Sequence, residues 1–93
     1  MISSTLTSNT QLFSYLRDLA EELHHCNETD AAETVLLASR FASGSTSEFL
    51  HESQLALKKV RSTCDGKLMP SRLEKITSVI EQIEDAFRSV GGV

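Results

Sequence analysis

Leu12, Leu16, Leu19, Ala20 and Leu23 recur at steps of three and four, and that spacing restricts what the chain can fold into. At about 100° per residue these side chains share one face of an α-helix. Arg17, Asp18, Glu21, Glu22 and His25 lie on the other side, so the spacing predicts a first helix over residues 10 to 26. The same rhythm returns near the other end, where Leu73, Ile76, Ile80, Ile83, Phe87 and Val90 form a coiled-coil-like seam over residues 71 to 90. Between them, Phe49, Leu50, Ala56, Leu57, Val60 and Cys64 define a third arc over residues 46 to 64. The run from Ala31 to Ala42 is apolar almost all round, with only Glu33 and Arg40 as a clear polar edge. Such a helix is expected to be the most buried of the set.

Stop and start signals separate these segments. Asp30 with Glu33 has the form of a capping box opening the second helix, Ser45 with Glu48 opens the third, and Ser71 with Glu74 the fourth. Gly44 and Gly66 stand where a helix C-terminus needs a permissive residue, and Pro70 cannot occupy a helix interior. Gly91 and Gly92 close the last helix. No convincing alternating strand occurs anywhere. Short connections favour antiparallel neighbours, so the expected fold is all-α: a small up-down-up-down four-helix bundle, built as two packed antiparallel helical hairpins. The bundle domain spans residues 10 to 91, after a flexible N-terminal tail over residues 1 to 9.

Leu16-x2-Leu19-Ala20-x2-Leu23 followed by Ala32-x3-Leu36 resembles the spacing of a tetratricopeptide-type helical hairpin, with leucines where that family prefers aromatics. The resemblance covers less than a third of the chain, and the second half does not repeat it. Arrays of that kind need about three copies. What it implies is small-on-large packing between two antiparallel helices.

Composition excludes several classes of function. Ninety-three residues give one core and little room for a deep cleft. An apolar fraction of 40% and a charged fraction of 24% suit a globular domain, and no apolar run approaches the length of a membrane span. Met1 to Thr10 has neither a basic start nor a long apolar stretch, so no signal peptide is expected and a cytoplasmic protein is the default. The net charge of −4 is uneven. Residues 1 to 45 carry six acids against two bases, whereas residues 46 to 93 carry seven of each and balance.

Few constellations can carry chemistry. His24, His25, Cys26 and Cys64 are competent metal or redox groups near one pole, and they support an alternative reading as a metal- or redox-responsive protein. Adjacent residues diverge on a helix, however, so at most two of the first three could serve one ion. His51 belongs to the opposite pole, about 20 Å away by helix rise. Helices one and three are diagonal in a square bundle, too far apart for a bond between the cysteines. "GSTSE" lacks the second glycine and the preceding strand of a hydrolase elbow, and no phosphate-loop motif occurs. Arg40, Ser45, Thr46 and Ser47 form an alternative anion site at a helix N-terminus. Lys58, Lys59, Arg61, Lys67, Arg72 and Lys75 form a basic run that could touch nucleic acid. No aromatic is interleaved, and Glu21, Glu22, Glu28, Asp30 and Glu33 should lie at the same pole and screen it.

The remaining signal is apolar surplus. Leu37 and Phe41 lie off the side of helix two that holds Val35, Leu55 falls on the polar face of helix three, and Leu68 and Met69 sit in a connection. Either helix two is central and its leucines are core, or these residues form a contact patch. The patch assignment makes Leu37, Phe41, Leu55, Leu68 and Met69 the partner-binding set. The expected function is that of a small acidic, non-catalytic protein-interaction module, an adaptor, regulator or immunity-type inhibitor. It would need no cofactor and would bind another protein or a second copy of itself as a homodimer, with neither membrane nor nucleic acid as the partner.

Overall fold

The computed structural model describes residues 9 to 89. Within them the chain forms α1 (Asn9–His25), α2 (Thr29–Ser39), a 3-10 turn (Arg40–Ser43), α3 (Thr46–Thr63) and α4 (Pro70–Ser89). Each helix packs on its neighbour in the chain. Side chains of α1 and α4 meet as well, through Glu22 with Arg72 and Tyr15 with Lys75. The result is an up-down-up-down four-helix bundle. The expected tail, apart from Asn9, lies outside the described residues, as do Val90, Gly91 and Gly92.

One core runs through all four helices. Leu12, Leu16, Leu19, Ala20 and Leu23 of α1 are buried, as their spacing requires. They meet Ala32 and Val35 of α2, Phe49, Leu57 and Val60 of α3, and Ile76, Val79, Ile80 and Ile83 of α4. The buried stripe of α4 is broader than a two-position seam. Val79, between Ile76 and Ile83, belongs to it, whereas Leu73 and Phe87 are only half-buried at its ends. That is the face of a globular-domain helix, wider than a coiled-coil contact.

The helix ends follow local chemistry, with two departures from the sequence patterns. Ser45 is the N-cap of α3, its side chain accepting from the backbone N–H of Glu48 at 3.1 Å. Gly66 takes φ +85° in the turn closed by Lys67 N–H to the Cys64 carbonyl, with open space around its Cα, so backbone freedom is what the position demands. Asp30 does not cap α2. The helix begins at Thr29, because α1 ends in a Schellman motif that commits the preceding backbone. Asn27 adopts φ 62° and donates to the His24 carbonyl, and Glu28 N–H donates to the Leu23 carbonyl at 2.8 Å. Glu28 is then the N-cap residue, without a side-chain cap. Ser71 does not cap α4 either. Pro70 is the first helical residue, with its φ set for that place, and the Met69 carbonyl accepts from Leu73 N–H.

The second helix departs most from expectation. It stops at Ser39 and tightens into the 3-10 turn, and it is not buried all round. Its inner face is made of small residues, Ala32, Ala38 and Ser39, with Val35, which let α2 lie close against its neighbours. Leu37, two positions from Val35 and therefore about 200° round the axis, is left outside at 55% exposure.

Candidate protein-binding surface

Three of the five residues assigned to a contact patch are exposed: Leu37, Leu55 and Met69. Leu68 is not. At 6% exposure it belongs to the core, because the turn after α3 folds it over the open end of the bundle while its N–H bonds the Cys64 carbonyl. Phe41 is half-buried in the 3-10 turn, packed against the core. The exposed three are not contiguous. Leu37 is in the last turn of α2 and Met69 sits at the opposite pole before α4, while Leu55 lies midway along α3. A single patch through helices two and three is therefore not what the fold provides.

What the fold does provide is a groove on the outer side of α1 and α2. A recess of about 470 Å³ is floored by Phe13, Ala20 and Leu36 and edged by Arg17, Asp18, Glu21 and His24. Phe13 is shared with a second recess of about 370 Å³ beneath the N-terminal turn of α1, whose lining includes Ser39, Arg40 and Ala42. The Arg17 guanidinium lies over the Phe13 ring at 5.8 Å, fixing the ring between the two. Beside this groove, Glu33 is four residues from Leu37 and three from Leu36, so the three side chains are neighbours on the surface of α2. None of this followed from counting exposed leucines. The α1 contribution comes from positions 13, 17, 21 and 24, a second stripe beside the core stripe, with Ala20 of the core at their border.

Charge is distributed unevenly about this groove. Among the described residues, Glu22 pairs with Arg72 at 2.8 Å and Glu28 with Lys67 at 3.6 Å, tying α1 and the start of α2 to the basic residues at that pole. Lys58 pairs with Glu84 at 3.5 Å, and Arg61 donates to the Thr77 hydroxyl at 3.3 Å. Half-exposed ion pairs contribute about 0.2–1 kcal/mol each, but they neutralise Lys58, Lys67 and Arg72 of the basic run. Asp18, Glu21, Asp30 and Glu33 have no cationic partner among the described residues, and all four are exposed. The unbalanced negative charge of the first half therefore concentrates on the outer side of α1 and α2.

The alternative constellations come apart. Cys64 is fully buried and its thiol points to the Glu28 carboxylate at 3.9 Å, whereas Cys26 is exposed and both cysteines are free. His24 edges the groove, while His25 and Cys26 line a separate recess with Asp18, Glu21 and Glu22. Among the described residues no three His, Cys, Asp or Glu side chains are placed to hold one metal ion, and the structure does not bring His24, His25, Cys26 and Cys64 together. The anion set separates too. Ser45 is engaged as a cap and the Thr46 hydroxyl accepts from Asn9 at 3.1 Å, while Arg40 lines a recess that none of Ser45, Thr46 and Ser47 reaches. Among the described residues Tyr15 is the only strongly perturbed titratable group. Burial pushes its phenol well above the usual range, with Arg72 opposing and Glu22 adding to the shift. Among the described residues no helix is long and apolar enough to cross a membrane.

Compared with known proteins, the chain matches no family model, no curated protein and no solved structure.

Proposed function

We propose that this chain is a non-catalytic protein-binding module whose contact face is the outer side of α1 and α2. The observation that carries this reading is the conjunction at Leu37. A large apolar side chain stands 55% exposed next in the chain to Leu36, which lines the groove with Phe13, and the exposed Glu33 is one helical turn away. An apolar centre with a charged rim is the general anatomy of a specific contact between proteins. Leu55 and Met69, isolated on other faces, are ordinary surface exposure.

An adaptor, regulator or inhibitor would all use such a face. The partner we propose is another protein, since an isologous contact through this side would bring two net-negative faces together. Cytoplasmic placement belongs to the same reading, with both thiols free. The test is retention from native-host extract on immobilised full-length chain, comparing the wild type with Leu37→Glu and with Lys59→Glu, an exposed control on α3. The expected result is a protein retained by the wild type and by Lys59→Glu and lost with Leu37→Glu. Loss with both variants, or with neither, removes the reading.

A further inference from the structure

The chemistry of the face narrows the partner further, and this step rests on the outer side of α1 and α2 being the binding surface. We infer that its occupant is a cationic amphipathic helix of another protein, lying along the groove with its apolar stripe on Phe13, Leu36 and Leu37.

Shape selects a helix. The groove lies between two antiparallel helices and runs along them. Its lining on α1 runs from Phe13 to His24, about 16 Å at the rise of an α-helix, which three turns of a partner would match. No strand occurs among the described residues, so none offers an edge for pairing an extended peptide. Anchors at i, i+3 or i+4 and i+7 on a partner helix are what a floor of separated apolar side chains receives.

Charge selects a cation. Asp18 and Glu21 edge the groove on the α1 side, and Glu33, exposed on α2, lies one turn from Leu36, the α2 residue of its lining. Lysines or arginines either side of an apolar stripe would meet them. Glu22 and Glu28 already hold Arg72 and Lys67 and take no part. An anionic lipid surface or a nucleic acid would be repelled by the same carboxylates. Arg17 sits on the same edge as Asp18, held over the Phe13 ring, and Arg40 lines the neighbouring recess beneath the N-terminal turn of α1.

The test uses the full chain, isotope-labelled for amide NMR, and a synthetic amphipathic peptide of about 14 residues, enough for roughly four helical turns. One peptide carries leucines on one face and lysines on the other, and a second replaces every lysine with glutamate. The Leu/Lys peptide is expected to shift amides of α1 and α2 along the groove, to bind more weakly as salt is raised, and to leave α3 and α4 largely unmoved. Reversing two exposed charges, Glu21→Lys with Glu33→Lys, should weaken it by about fivefold or more, while Lys59→Glu does not. Equal binding of the Leu/Glu peptide at this groove would overturn the cationic partner and leave the binding surface standing. Failure of the Leu/Lys peptide to bind, or shifts centred on another face, would overturn the inference. Whether the surface itself falls with it is read independently from the loss of the native partner with Leu37→Glu.

Discussion

Leu37→Gln separates the two accounts of helix two most cleanly. Fully burying a leucine is worth about 1.5–3 kcal/mol relative to leaving it exposed. Leu37 keeps 55% of its surface in water, so less than half of that value, about 0.7–1.4 kcal/mol, is at stake. Glutamine retains two methylenes to cover the same ground, which brings the expected loss below about 1 kcal/mol. If helix two were buried on every side, the same change would place an unpaired amide in the core and cost several kcal/mol. Urea unfolding followed by circular dichroism reads the difference as a change in midpoint at constant slope. Leu16→Ala, at a fully buried position of α1, supplies the scale, with an expected loss of about 2–5 kcal/mol. A loss above about 2 kcal/mol for Leu37→Gln would put Leu37 in the core and refute the exposed face.

Three further outcomes follow from other residues. Ser53 is fully buried with no hydrogen-bond partner for its hydroxyl, so Ser53→Ala should stabilise the fold by about 1 kcal/mol; a loss in the same urea assay would mean that the hydroxyl is bonded. Ser45→Ala removes the cap of α3 and should cost about 0.5–2 kcal/mol, whereas Ser71→Ala, at a serine that caps nothing, should stay within about 0.5 kcal/mol; equal losses would refute the cap assignments. Tyr15 is the chain's one tyrosine, and its phenol ionises in the folded state only above the unfolded value of about 10. Its contribution is therefore complete below pH ~10 and is lost as pH rises beyond that, so tyrosinate absorbance should appear together with unfolding, and Tyr15→Phe should flatten the alkaline loss. Tyrosinate forming near pH ~10 in the folded chain would contradict the burial of the phenol.

The parts of the fold legible in the sequence are those governed by local periodicity. The buried residues of α1 stand at their predicted spacing, and α3 starts at Thr46, directly after its capping residue Ser45. Signals that compete within one turn were less legible. Pro70 and Ser71 both mark a helix start, and the fixed φ of proline decided between them. Asn27 and Asp30 competed in the same way, and the left-handed Asn27 set where α2 begins. Tertiary partners decided the rest. Leu68 looks like a loop residue until the bundle's open end is there to receive it, and Ser53 looks polar until Phe49 and Leu57, four residues either side, carry it inward. The proposed binding face was legible only in part. Leu37 stood in the expected contact set and is exposed, because the small residues of α2 point in, whereas the α1 side of the groove carried no such signal.

The most direct measurement is site-specific photocrosslinking in the native host, with the probe placed in turn at 33, 37, 59 and 74, all exposed positions. Adducts with one protein at 33 and 37, and none at 59 and 74, are the expected result. Adducts at 59 or 74 with none at 33 and 37 would contradict the assignment of the α1–α2 face.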